Sequence, residues 1–236
     1  MLRKLILIFL FVVMPAICRA QEPIEKLPRV LILGDSTYQQ PAAEVAKLLV
    51  GKAEIVFARI PAGETRNSSS AVKNLDQWLG EEKWDLIHFN FGLGDLVYRA
   101  PNMKSFRVLP KYAGGVRATS PEEYEENLGE IIRRLKTTEA KLIWASTTPI
   151  RHSQTKVFEM GSEIEYNSIA NKVMKANEIP ISDMYSYVFN LIDMTRPAGH
   201  GFDPFTFDKK PIHAPLLSAV IEALAIRVDV ESNDPN

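Results

Sequence analysis

Apolar positions along this chain alternate between two periods. Short runs rich in branched and aromatic residues occur at Arg29 to Leu33, Glu54 to Phe57, Asp85 to Phe91, Lys141 to Ser146 and, more weakly, Ile179 to Ser182. A helix-length interval separates each from the next. Some of those intervals repeat at helical spacing: Tyr124, Leu128, Ile131, Ile132 and Leu135 share one face, as do Ile169, Ala170, Val173 and Met174. Leu216, Leu217, Val220, Ile221 and Leu224 mark a final amphipathic helix. Ser120-Pro121-Glu122-Glu123 combines a cap, a first-turn proline and a capping-box glutamate, and Ser162 with Glu165 repeats the capping signal. Strands alternating with helices predict an α/β fold with a central parallel sheet covered on both faces.

Three stretches break the alternation: 96–119, 148–161 and 195–211. All three follow or flank predicted strand ends, and loops this long in a compact domain are usually functional or mobile. The first carries Arg99, Lys104, Arg107, Lys111 and Arg117 without an acidic residue, interleaved with Tyr98, Phe106 and Tyr112. Such a segment reads either as a solvated basic loop or as a lid over an anionic or carbohydrate substrate.

Residues 1–20 carry a basic start, the apolar run Leu5 to Met14, and a small-residue exit at Cys18-Arg19-Ala20, the pattern of a secretory signal peptide. Export is therefore expected, to the periplasm or outside, with one domain over 21–230 and a disordered tail at 231–236. A lipid-modified start at Cys18 is the alternative, and the bulky Ile17 counts against it. Cleavage after Ala20 removes the single cysteine, so no disulfide or thiolate metal site is expected. It also removes Arg3, Lys4 and Arg19, leaving 25 basic residues against 29 acidic ones, a net charge of −4. That balance offers nucleic acid no electrostatic footprint. After the leader, no apolar run reaches the length of a membrane span.

The first strand runs directly into Gly34-Asp35-Ser36. In an open parallel sheet, ligands bind beyond the carboxyl ends of the strands, so Ser36 is placed as a nucleophile, although Asp35 and Ser36 are also ordinary helix-capping residues. A nucleophilic serine needs a base. Of the four histidines, His88 lies within a strand and is expected to be a buried, hydrogen-bonded core residue, while His152 and His200 fall in polar loops. His213 closes an irregular segment just before the last helix, at the sheet's rim, with Asp208 the nearest acid to orient it. The third strand ends in Gly92-Leu93-Gly94-Asp95, whose glycines expose backbone N–H groups as an oxyanion hole requires.

With Gly34-Asp35-Ser36, Gly92-Leu93-Gly94-Asp95 and His213 in this order and spacing, the chain resembles the SGNH hydrolases, also called GDSL-type esterases and lipases. Ile87 to Leu93, Lys141 to Pro149 and the Tyr166-Asn167 pair are similar to an exported bacterial branch of that family. The resemblance implies a three-layer α/β/α sandwich with a flavodoxin-like sheet of about five strands, Ser36 as nucleophile and His213 as general base. It implies oxyanion donors at the Ser36 N–H, at a glycine after the second strand, for which Gly63 is the match and Asn67 to Ser70 the alternative, and at an asparagine in a Gly-x-Asn-Asp block.

The chain departs from that pattern twice. Gly94 stands at the asparagine position, with Asn90 or a bound water at Gly94 as substitutes, and Lys210 stands where the family places its acid, leaving Asp208, or more weakly Asp203. The implied activity is hydrolysis of short acyl esters, acetyl above all, on a small-molecule or polysaccharide substrate, with no metal or organic cofactor and no nucleic-acid or membrane partner once the leader is gone. The rival reading is a non-catalytic glycan-binding or scaffold protein on the same fold. Oligomeric state is not legible, and the absence of Gly-x-Gly-x-x-Gly or Walker loops argues against a nucleotide-binding domain.

Overall fold

The computed structural model describes residues 26–60, 64–103, 106–153, 155–197 and 207–227. The leader, Gly63, His200, Asp203 and the tail lie outside the described residues.

Five parallel strands form the central sheet: β1 (Arg29–Leu33), β2 (Glu54–Phe57), β3 (Leu86–Phe89), then a fourth and a fifth at Lys141–Ala145 and Ile181–Ser182. The chain adds α1 (Gln39–Leu48), α2 (Ser68–Leu79), a short α3 (Leu93–Leu96), and a two-stranded hairpin of β4 (Tyr98–Arg99) and β5 (Val116–Arg117). After α4 (Pro121–Lys136), the fourth and fifth strands of the central sheet are numbered β6 and β7; α5 (Ser162–Ala176) lies between them, and α6 (Met184–Leu191) and α7 (Ala214–Leu224) follow.

The sheet order is β2-β1-β3-β6-β7, all parallel, so the order reverses direction between β1 and β3. A crevice opens at such a switch point, beyond the carboxyl ends of the two strands. Both faces of the sheet are covered, which is why the inner strands read as nearly continuous apolar runs. Leu31, Leu33, Ile87 and Phe89 pack with Trp78, Leu128, Ile132 and Tyr166 from α2, α4 and α5. Val30, Ile32 and Leu86 face the other way and pack with Val45, Val188, Leu216 and Val220 from α1, α6 and α7.

Ser120 caps α4 as its sequence predicts, accepting a hydrogen bond from the Glu123 N–H at 3.2 Å, with Pro121 in the first turn. At α5 the expectation needs correction. Gly161, in the left-handed region at φ 86°, is the cap; Ser162 is already helical and donates its hydroxyl back to the Glu159 carbonyl. Glu165 instead pairs with Arg117 at 3.1 Å. The third strand ends at Phe89, and the last is shorter than its apolar run, covering Ile181–Ser182 after Pro180, whose carbonyl accepts from the Trp144 N–H at 3.0 Å.

Candidate active site

The nucleophile turn is built by hydrogen bonds around a buried carboxylate. Asp35 is 5% exposed and caps a 3-10 turn over Ser36–Tyr38, accepting from the Thr37 N–H at 3.0 Å and from the Thr37 hydroxyl. Burial raises its pKa, opposed by those bonds and by the charge of Arg66. The capping reading of Asp35 is therefore correct, and it leaves Ser36 as the exposed member of the turn at the carboxyl end of β1.

Across the switch point, β3 leads three residues later into Gly92, the N-cap of α3. A Cβ there would lie 1.9 Å from the Thr147 hydroxyl oxygen, so only glycine fits between the tips of β3 and β6. Asn167 holds that neighbour in place, pairing with both the N–H and the carbonyl of Thr147 at 2.8 and 2.9 Å. Tyr166 beside it donates to the Thr119 carbonyl. Asn90 spends its amide protons on the Ala145 carbonyl at 2.8 Å and the Thr147 hydroxyl at 3.3 Å. The structure thus directs the Asn90 side-chain donor toward β6.

Gly94 is explained by what stands opposite it. A Cβ would come 2.3 Å from the Arg66 carbonyl oxygen, so no side chain of any kind fits at 94 without moving that backbone. Arg66 itself was not legible as a site residue. Its guanidinium donates to the Gly34 carbonyl and the Ala58 carbonyl, both at 2.9 Å, and lies 4.4 Å from the centre of the Phe57 ring. A positive charge is thereby clamped between the tips of β1 and β2, beside Asp35. The nearest sequence signal is Asn67, which caps α2 next to it by accepting from the Ser70 N–H at 2.8 Å. Asp95 anchors the same corner: it is fully buried, accepts from the Ser68 N–H and hydroxyl and the Thr119 hydroxyl, and is pushed up to about 6 by burial.

His213 is the N-cap residue of α7 and half-buried. Lys141, at the start of β6, donates to the Ala223 carbonyl near the end of α7 at 2.6 Å, so the helix runs antiparallel to the strands. Its first residues therefore lie at the carboxyl rim. Ile212 packs in the same buried cluster as Tyr38 and Ala42, which puts His213 and the Ser36 turn in one layer. The Nδ1 atom of His213 is buried with no hydrogen-bond partner among the described residues. Lys210, at the family's acid position, turns away and donates to the Leu191 carbonyl. Asp208 lies in a 3-10 turn over Phe207–Lys209 that is flanked by left-handed residues at Phe207 (φ 45°) and Lys209 (φ 59°). Its carboxyl group, like Gly63, is outside what the structure describes.

His88 is buried as expected, against the Tyr38 ring at 5.7 Å, but neither ring nitrogen has a hydrogen-bond partner among the described residues. Burial pushes its pKa down to about 4, so the ring is neutral. The expectation of a hydrogen-bonded histidine is corrected on that point. His152 is exposed. A cavity of about 840 Å³ follows β7 and α7 toward the amino ends of the strands, lined by Glu139, Lys141 and Glu222 among others, away from this chemistry.

A lipase/acylhydrolase from Enterococcus faecalis superposes on 85% of the chain, covering 98% of its own length, at TM-score 0.61 and 14% identity. A GDSL-like lipase from Bacteroides thetaiotaomicron matches 86% of the chain and 92% of its own length at TM-score 0.58 and 16% identity. The chain has the fold of the SGNH/GDSL hydrolases. An acetylxylan esterase from Geobacillus stearothermophilus shares that SGNH fold too, over 85% of this chain and 95% of its own, at TM-score 0.60 and 15% identity. No family model matches the sequence and no curated protein is similar to it, so the likeness to the SGNH hydrolases is carried by three-dimensional structure.

Proposed function

We propose that this protein is an exported serine esterase that removes short acyl groups, acetyl above all, from carbohydrate. The observation that carries the reading is Ser36, exposed on a hydrogen-bonded turn at the switch point of the sheet, with His213 heading α7 on the same rim. Ser36 Oγ attacks the ester carbonyl while His213 takes its proton. The imidazolium then protonates the departing alcohol, and water, activated by the same imidazole, releases the acid and regenerates Ser36. With Nδ1 turned inward, Nε2 is the nitrogen left for Ser36, and the unpartnered Nδ1 is the position for the Asp208 carboxylate.

The N–H groups of Ser36 and Gly92, with Gly63 or Asn67, stabilise the oxyanion; within the Asn67 to Ser70 segment the N–H groups of Ser68 and Ser70 are already spent on Asp95 and Asn67. Arg66, pinned over Gly34, adds the positive potential that an asparagine at 94 would otherwise help supply. Acetylxylan esterases among the structural neighbours support acetyl as the acyl group and a glycan as the alcohol. The apolar leader supports export, and among the described residues no helix is long and apolar enough to cross a membrane.

Release of p-nitrophenol from p-nitrophenyl acetate tests the reading. Wild type turns over, and Ser36→Ala loses activity by about 10⁶ in kcat; equal rates would overturn the esterase. A second reading, a glycan-binding protein without efficient chemistry, is favoured by Gly94 packed on Arg66 and by Lys210 bonded to Leu191.

A further inference from the structure

We propose that the groove between the β4–β5 flap and the 155–160 loop binds the sugar chain of a polysaccharide that carries carboxylate groups. The proposal deepens the esterase reading and rests on it for the link to catalysis, though not for binding itself.

The groove is built rather than accidental. Its flap leaves the sheet six residues after Gly92 and returns to α4, and its other wall is the segment that follows β6. Both walls stand on the carboxyl rim, the rim that carries Ser36. The two are bonded to each other: the Tyr98 N–H donates to the Val157 carbonyl at 2.7 Å, and the Tyr98 hydroxyl to Glu159 at 2.7 Å. The limbs of the flap are bonded as well, through Leu109 N–H to the Tyr98 carbonyl at 3.0 Å and Ala118 N–H to the Val97 carbonyl at 2.9 Å. Gly115 passes so close to Leu109 that a Cβ would lie 1.9 Å from its carbonyl oxygen. Its shape is thereby held before any ligand arrives, which lowers the ordering cost of binding.

The groove is shallow and open, about 450 Å³, lined by Tyr98, Lys111, Tyr112, Lys156, Phe158 and Glu159. Tyr112 is 78% exposed, so its ring contributes nothing to the core. An exposed aromatic face beside hydrogen-bonding groups suits the apolar face of a pyranose ring, which stacks while its hydroxyls bond at the edge. Charge selects among sugars. Glu159 is shared by Lys111 at 3.3 Å and Arg117 at 3.4 Å, and Lys156 lies over the Tyr112 ring at 5.8 Å with no carboxylate partner among the described residues. Arg99 and Arg107 stand on the same flap, and residues 98–117 include no acid. Glu165 also pairs with Arg117 at 3.1 Å, so Lys156 is the cation lining this groove without a carboxylate among the described residues, and the complementary polymer is one bearing carboxylates.

Ser36→Ala protein, which binds without turning over, is run by affinity electrophoresis through gels containing polygalacturonate, and Tyr112→Ala and Lys156→Gln are compared in that background. Each substitution is expected to weaken retardation about tenfold in Kd, with retardation falling as salt rises. In the active protein the same substitutions raise KM for acetylated polygalacturonate about tenfold and leave kcat/KM for p-nitrophenyl acetate within about twofold. Unchanged retardation in both variants would overturn the proposal, as would equal retention by neutral acetylxylan or equal binding to anionic phospholipid vesicles. Hydrolysis that does not depend on Ser36, with retardation still sensitive to Tyr112, would remove the esterase reading and leave the groove standing.

Discussion

The two halves of the rim that meet over Ser36 are built in opposite ways. On the nucleophile half, the groups that shape the turns have partners: Asp35 is held by Thr37, Gly34 by Arg66, and Asp95 by Ser68 and Thr119. Glycines 92 and 94 let backbones approach to distances no side chain would permit. Around the base, Nδ1 of His213 lacks a partner among the described residues, as do both nitrogens of His88 on β3 and the hydroxyl of Tyr38, which reaches over His88 from the nucleophile turn. The segment leading into His213 also passes through two left-handed non-glycine residues, a conformation costing roughly 1–2 kcal/mol each. One half is preorganised by its own hydrogen bonds. On the other, the proposed partner of His213 Nδ1 is the Asp208 carboxylate.

Three substitutions break or sharpen this contrast. The largest effect is expected for Asp208→Asn. If the Asp208 carboxylate completes Nδ1 of His213, kcat for p-nitrophenyl acetate falls about 10⁴-fold. A fall of less than tenfold would mean that the base half has no orienting acid at 208.

Gly94→Asn probes the nucleophile half by restoring the family's asparagine. Because the side chain must enter where the Arg66 carbonyl stands, a stability loss of about 3 kcal/mol is expected in urea unfolding, with no gain in activity. Unchanged stability with raised kcat would mean that the Arg66 loop yields easily and that the half is less rigid than its contacts indicate.

An effect of similar size, a pH dependence, is expected beneath the base. His88 titrates at about 4 when folded against 6.5 unfolded. Between those values the unfolded chain binds more protons, so stability falls as pH drops from 6.5 toward 4. Wild type should lose about 3 kcal/mol relative to His88→Leu between pH 7 and 4. Asp95 works in the opposite sense, since its folded pKa of about 6 exceeds the ordinary 3.8 and its contribution is lost as pH rises through that window. It is present in both proteins, so the difference between the two curves isolates His88. Parallel curves would show that the His88 ring finds a partner after all.

Much of the architecture was legible before any coordinate. The strand runs at 29–33 and 54–57 match the observed limits, and Ser120-Pro121 starts α4 where its residues predict. These are local signals, set by side-chain period and by the hydrogen bonds a few neighbours can make. Ser162 misled because its hydroxyl had two backbone partners within reach, and Gly161 supplied the left-handed turn that made Glu159 the winner.

The site divides along the same line. Gly34-Asp35-Ser36 after an apolar strand, and Gly92 and Gly94 after another, are readable because turn chemistry is local. Arg66 was invisible in the sequence: its role comes from reaching the Gly34 carbonyl, 32 residues away along the chain. The same holds for the reason position 94 must be glycine, which is the carbonyl of residue 66, and for the turning of Lys210 to Leu191. By itself the sequence determined the alternating strands and helices, the capped starts and the turns that expose Ser36, because these depend on period and on nearest neighbours. Only the tertiary structure decided which backbone fills the missing asparagine's place and where Lys210 and Arg66 direct their charges, because those outcomes depend on distances between segments far apart in the chain.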